Sequence, residues 1–447
     1  MKSFAIASAL AAVALANPTK TTPEKARRAD SMPTITASGN AFWADKTRFY
    51  VRGIDYQPGG SSGETDPLAD EDTCKRDIAK FKELGVNTIR VYMTDNSVSH
   101  DTCMGLLADA GIYVILDANN PKYSINRDNP APSYNDVYLQ SVFATIDEFI
   151  KYDNTMAFFS GNEVINDKAN TTLSAKYVKA VTRDMRQYIR ERGYRSVPVG
   201  YSAADVAQNR MQLAQYMNCG TEDERSDFFA FNDYSWCNTN FVQSGWDVKV
   251  KNFTGYGIPL FISEYGCTTN GRDFGEVEAL MSDDMTPVYS GGLVYEYSIE
   301  GNGFGMVEIS GNSVTTEKDF DNYKSALSKY PTPTGDGGFT STTNSVSCPT
   351  KDSDWLVSDT LLPAIPTAAL KYMTEGAGTG PGLKGDGSQN AGGTSTGDAE
   401  PGSGSATATG SSSSENAAGG PAPPVDKAAF AVTGLVVLFT LFGTMLL

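Results

Sequence analysis

Histidine is almost missing: the chain of 447 residues holds one, His100. A Ser/His/Asp or Cys/His catalytic machine would have to use that residue, and a zinc site with two or more histidines is excluded. Positive charge is also short, with 36 Lys and Arg against 53 Asp and Glu, a net charge of −17. Nucleic acid and anionic membrane are poor fits as main partners, because binding either needs clustered cations. No G-x-G-x-x-G follows the first strand-like run, and the P-loop pattern is absent, so nothing marks a nucleotide cradle. No metal cluster is apparent, and no cofactor is expected. Carboxylates remain as the acid/base groups, with an uncharged or cationic partner. Tyr and Phe are plentiful at 22 and 21, and a chain this long can bury a large core.

The two ends read as addresses. An apolar run ending in Ala14-Leu15-Ala16 follows Met1 and Lys2, the pattern of a secretory signal over residues 1–16. Residues 428–447 carry no charge. They follow a polar spacer and the small residues Asn416-Ala417-Ala418, which matches a glycolipid (GPI) anchor signal near Asn416 whose tail is removed, with a conventional transmembrane anchor as the alternative. Residues 374–427 are rich in Gly and Ser and read as a flexible stalk, since they offer too little apolar surface to order themselves. Secretion makes disulfides available, and the six cysteines allow 15 pairings. Their wide spacing suits stapling of loops in a large domain.

Between the ends, eight short apolar or β-branched runs read as strands: residues 50–56, 88–92, 112–117, 156–160, 197–201, 228–232, 259–263 and 292–297. Amphipathic helices are expected over 77–84, 137–152, 173–192 and 319–330. This alternation predicts a (β/α)8 TIM barrel over 33–330, with a short C-terminal extension over 331–373. An open doubly wound sheet is the alternative.

In such a barrel, chemistry gathers where strands end. That rim would hold Asp55, Gln57, Arg90, Tyr92, Asp117, Asn120, Asn162, Glu163, Asp205, Asp233, Tyr234, Glu264, Glu296 and Tyr297. Carboxylates, amides and tyrosines together suit a neutral polyhydroxyl ligand. Most glutamates lie on surface loops and do no chemistry. Glu163 and Glu264, however, each end an apolar strand, and retaining glycoside cleavage needs two carboxyls about 5 Å apart. Asp55, Asp117 and Glu296 are expected to cap helices or bind Arg90, and His100 to sit at the surface or cap a helix. Asn170 and Asn252 begin glycosylation sequons.

Six ordered motifs resemble one family: Arg52-Gly53-Ile54-Asp55-Tyr56-Gln57-Pro58-Gly59-Gly60, Asn87-Thr88-Ile89-Arg90-Val91-Tyr92, Gly161-Asn162-Glu163-Val164, Asp233-Tyr234-Ser235-Trp236-Cys237, Ile262-Ser263-Glu264-Tyr265-Gly266-Cys267 and Tyr295-Glu296-Tyr297-Ser298. They look like the fungal β-1,3-glucanosyltransferases of glycoside hydrolase family 72. The resemblance implies an enzyme at the outer face of the plasma membrane that cuts a β-1,3-glucan chain internally and joins the new reducing end to another chain's non-reducing end. It implies Glu163 as acid/base and Glu264 as nucleophile; burial and a nearby carboxylate are expected to keep Glu163 protonated. It places glucan binding at Tyr92, the loop from Asn119 through Asn120 to Arg127, Asn162, Asp205, Arg210 and Tyr297, with Tyr234 touching the nucleophile; Gln57 joins them from its place on the rim. It implies the disulfides Cys74 with Cys103, Cys219 with Cys348, and Cys237 with Cys267. With all six cysteines so used, the chain resembles the shorter members, which lack a cysteine-rich carbohydrate-binding module. Donor and acceptor glucans and the anchoring membrane are the partners implied.

Overall fold

Eight parallel strands close into a barrel: β1 Val51–Tyr56, β2 Thr88–Val91, β3 Tyr113–Asp117, β4 Thr155–Asn162, β5 Val199–Ala204, β6 Phe228–Asn232, β7 Leu260–Tyr265 and β8 Tyr289–Val294. They are ordered as in the chain, and β8 pairs back onto β1. The structure, a computed structural model, describes residues 32–61, 63–357, 361–395 and 397–407. The expected export signal, Asn416 and the apolar tail lie outside these residues. Every residue of β2, β3, β6, β7 and β8 is buried. Strands covered on both faces need apolar side chains throughout, which is why they stand out as continuous runs.

A helix follows each strand: α1 Glu71–Leu84, α2 Asp101–Asp109, α3 Asp136–Phe149, α4 Ala175–Glu191, α5 Arg210–Met217, α6 Trp246–Phe253, α7 Glu276–Leu280 and α8 Lys318–Lys329. Local chemistry sets their ends. The Asp70 carboxylate accepts from Thr73 N at 2.7 Å to start α1, and Gly85 at φ +81° ends it.

The far end of the barrel is plugged by an element that the sequence did not announce. A three-stranded antiparallel sheet, Ile35–Ser38, Ala41–Ala44 and Thr47–Phe49, drives Phe42 against Phe228 and Phe261 at ring distances of 5.8 and 5.9 Å. Its strands of three or four residues are too short for alternation to show. The eighth strand also differs, lying three residues before the expected 292–297. Its Gly291-Gly292 looks like a break but is a close approach: at φ +88°, a Cβ on Gly291 would lie 2.0 Å from the Val51 carbonyl oxygen.

His100 is buried rather than superficial, at 1% exposure. Its Nε2 meets Asp66 Oδ2 at 2.7 Å and its Nδ1 meets Glu148 Oε1 at 3.0 Å. Disulfides join Cys74 to Cys103, Cys237 to Cys267 and Cys219 to Cys348. The first links α1 to α2, the second links the loops after β6 and β7, and the third ties the segment after α8 to the end of α5.

The glycine-rich stretch departs from a free stalk through Thr407. Gly382 N donates to Asn96 Oδ1 at 2.9 Å, Asn135 Nδ2 donates to the Ser388 carbonyl at 2.6 Å, and Gly402 N donates to Glu224 Oε1 at 3.1 Å. Backbone groups satisfied by polar side chains of the barrel hold this segment without a core of its own. A stalk can begin only after these contacts end.

Candidate active site

Strand ends β4 and β7 deliver Glu163 and Glu264 to one cleft of about 370 Å³. Gln57, Tyr92, Asn119, Asn120 and Asn162 line it as well, each anticipated from the sequence. Glu264 is 8% exposed. Its Oε1 accepts from the Tyr92 hydroxyl at 2.8 Å and from Arg90 Nη1 at 3.2 Å, and its Oε2 accepts from the Tyr234 hydroxyl at 2.7 Å. Burial raises the Glu264 carboxyl to about 7, against the pull of Arg90 and aided by the neighbouring Glu163 carboxylate, while both tyrosine hydroxyls act to lower it. Burial also raises both tyrosines well above their ordinary value, so they remain donors.

Arg90 is wholly buried between the rings of Tyr92 and Phe159, with its guanidinium 4.1 and 4.5 Å from their centroids. Its Nε and Nη2 donate to Asp117 at 2.8 and 3.2 Å. Asp117 therefore binds Arg90, one of the roles expected of it. Asp55, paired with Arg90 in register across β1 and β2, is fully buried and held well above the usual carboxylate range by desolvation.

Glu163 is half-buried, and Glu264 is the carboxyl that the barrel encloses. Its backbone sits in the left-handed region at φ +48°, which costs a residue with a side chain about 1–3 kcal/mol. Two bonds hold that conformation: Glu163 N donates to the Ser202 carbonyl at 2.9 Å, and Arg127 Nη2 donates to the Glu163 carbonyl at 2.6 Å. The carboxylate is fixed separately, Oε1 accepting from Asn232 Nδ2 at 2.8 Å. Asn232 is oriented in turn by the hydroxyls of Ser263 and Ser202, which reach its Oδ1 at 2.8 and 3.2 Å.

Asn232 was not singled out from the sequence, although an amide ending the apolar strand Phe-Phe-Ala-Phe-Asn is the same signal that marked the two glutamates. Pro121 and Ser124, from the expected loop between Asn119 and Arg127, line the cleft too, and Ser61, Met93 and Tyr295 do so without having been foreseen. Tyr297 does not. It is fully buried, donates to Asp77 Oδ1 at 2.9 Å and packs on Tyr56 and Phe81. Strand β8 ends at Val294, so the facing inferred for Tyr297 fails and Tyr295 takes the cleft position. Asp205 and Arg210 pair with each other, and Lys249 bridges Asp205 to Asp233 at 2.7 and 2.5 Å. That charged group lies at the ends of β5 and β6, outside the cleft lining. Asn170 and Asn252 are exposed.

Fold and cleft define the class as (β/α)8 barrel proteins with a carboxylate-lined rim. The particular family follows from the chain as a whole: residues 24–331 match the model of glycoside hydrolase family 72, described as glucanosyltransferase, and the chain belongs to that family. It is 63% identical over 390 residues to the 1,3-beta-glucanosyltransferase gel1 of Aspergillus fumigatus, covering 86% of this chain and 85% of the relative. With the 1,3-beta-glucanosyltransferase GAS5 of Saccharomyces cerevisiae it shares 52% over 355 residues, covering 78% and 73%. Saccharomyces cerevisiae Gas2p, solved as a mutant in complex with laminaritetraose and laminaripentaose, superposes with a TM-score of 0.69 at 39% identity, covering 74% of each chain.

Proposed function

We propose that this protein is a 1,3-β-glucanosyltransferase that cleaves a β-1,3-glucan chain internally and transfers the new reducing end to the non-reducing end of a second chain. The observation that carries the reading is the pairing of Glu163 and Glu264 in one cleft walled by amides and tyrosines. The names of its relatives and the laminari-oligosaccharides bound to Gas2p support the substrate class.

Glu264 acts as nucleophile. Its anion accepts from Arg90, Tyr92 and Tyr234, and attack on the anomeric carbon breaks the bond to the departing chain. Glu163 gives its proton to the leaving oxygen; with Oε1 occupied by Asn232, Oε2 is the oxygen that carries it. In the second step the hydroxyl of the acceptor glucan attacks the same carbon, its proton passes to Glu163, and Glu264 is released. Gln57, Asn119, Asn120 and Asn162 line the cleft and bind sugar hydroxyls.

Chromatography of the products from laminaripentaose tests this. Chains longer than the substrate are expected, and shorter products alone would leave a hydrolase. Glu163→Gln and Glu264→Gln should each lower the rate by about 10²–10⁴-fold with the fold intact. Export, glycans on Asn170 and Asn252, and a glycolipid anchor at Asn416 on the outer plasma membrane belong to the same proposal and rest on the sequence. Phosphatidylinositol-specific phospholipase C should release the protein from whole cells, and a protein that resists release would argue against the anchor.

A further inference from the structure

The loop that follows β3 contributes Asn119, Asn120, Pro121 and Ser124 to the cleft. It is braced from within, as Asn120 Oδ1 accepts from Lys122 N and Tyr123 N at 3.0 Å each. It is also gripped from outside by the glycine-rich segment. Lys122 Nζ donates to the Leu383 carbonyl at 2.8 Å, and Ser388 N donates to the Lys122 carbonyl at 2.9 Å. Gly387 N donates to the Tyr123 hydroxyl at 3.3 Å, and Gln389 Nε2 donates to the Ser124 carbonyl at 2.9 Å. Three consecutive loop residues are thus tied to one stretch of chain more than 250 residues away in sequence.

That stretch is itself anchored to the barrel at both ends. Gln140 Nε2 holds the carbonyls of Ala377 and Thr379 at 3.1 and 2.9 Å, and Asn135 Nδ2 holds the Ser388 carbonyl at 2.6 Å. Its glycines are contact residues. A Cβ on Gly380 would lie 2.2 Å from Asn96 Oδ1, one on Gly385 would lie 2.0 Å from the Tyr123 hydroxyl, and one on Gly393 would lie 2.0 Å from Asp136 Oδ1. Glycines that serve only flexibility have no reason to meet a neighbour this closely.

We propose that residues 376–395 form a strap that positions the cleft-lining loop after β3 and thereby sets the affinity for glucan, an inference that rests on the glucanosyltransferase reading. The strap touches no reacting atom. It acts through Lys122, Tyr123 and Ser124 on the placement of Asn119 and Asn120, so its loss should appear in KM rather than in kcat.

The test uses the full-length protein and laminaripentaose. Gly385→Ala pushes a methyl group into the Tyr123 hydroxyl and should raise KM about fivefold with kcat within about twofold, the scale of one or two lost hydrogen bonds. Adding Tyr123→Phe removes the opposing oxygen and should return most of the affinity. Gln389→Ala removes a strap bond without adding volume and should raise KM about threefold. Hydrogen exchange over residues 119–127 should quicken in both single variants, a readout independent of turnover. A fall in Tm with KM and loop exchange unchanged in both would reduce the strap to a stabilising tail and overturn the proposal. Absence of any product from the unaltered protein would instead defeat the functional reading, and exchange at the loop would still report on the strap.

Discussion

Glu264 needs its negative charge in a place that burial makes unfavourable for one. Desolvation lifts its carboxyl to about 7, and Arg90, Tyr92 and Tyr234 oppose that rise. Asp55 beside them is pushed well above the carboxylate range, and Glu296 is raised to about 7 by burial, so Arg90 serves chiefly Asp117 and Glu264. Because Glu264 and the buried Asp55 beside it interact, the protons of that pair leave in shared steps. Tyr234→Phe removes one donor from the anion and should raise the Glu264 carboxyl further. A hydrogen bond to a charged group contributes about 1.5 kcal/mol, close to one pH unit. The acid limb of the kcat/KM profile should therefore move upward by about one unit, with activity recovering at higher pH. An acid limb that stays in place would mean that Tyr234 does not stabilise the ionised carboxylate. Glu163 and Glu264 were legible in the sequence because each ends an apolar strand. Tyr295 was not, because its facing depends on where β8 stops, and two glycines hid that point.

His100 joins three elements and takes no part in the cleft lining. It begins α2, and its ring bridges Asp66 in the loop before α1 to Glu148 on α3. These two carboxylates overcome the desolvation of the ring and raise its pKa to about 9. Replacing His100 by Asn would leave the buried Asp66 without its cation, while the half-buried Glu148 keeps Lys151 at 3.0 Å, and stripping one partner from a buried pair typically costs about 3–5 kcal/mol. Denaturant unfolding should show that loss, while kcat/KM of the folded fraction stays near its original value. A stability change below about 1 kcal/mol would show that solvent already screens the pair. Elements of this kind divide by how far their pattern reaches. The long amphipathic helices α3 and α4 announce themselves over several turns, whereas the sheet of residues 35–49 and the five-residue α7 are shorter than any period that could reveal them. The role of His100 was hidden for a related reason: its partners lie 34 and 48 residues away, and only the barrel brings them together.

For the whole molecule, composition misled in one region and guided well in another. The glycine content after residue 374 implies flexibility only if the glycines face solvent, and those at 380, 385 and 393 face side chains of the barrel. The acidic balance, by contrast, has a consequence that several buried groups share. Burial raises Glu264 and Glu296 to about 7 and Glu276 to about 8. A carboxyl raised on folding favours the folded state fully below its unfolded pKa, about 4.3, and that contribution is lost as pH rises through the folded value. His100, raised to about 9, acts in the same direction above pH 6.5. Lys179 opposes them only from about pH 7 upward, since burial lowers it to about 7 and its contribution grows toward its unfolded pKa near 10.5. Between pH 4.5 and 7 the raised carboxyls therefore decide the slope, and repulsion within a chain of net charge −17 adds to it. Thermal unfolding should give a Tm at pH 5 that is several degrees above that at pH 7. Glu276 starts α7 and lies outside the cleft lining, so Glu276→Gln should flatten the slope by about one proton and leave glucan transfer unchanged. Equal Tm values at the two pH values, or a slope that Glu276→Gln leaves untouched, would show that these carboxyls reach water in the folded protein.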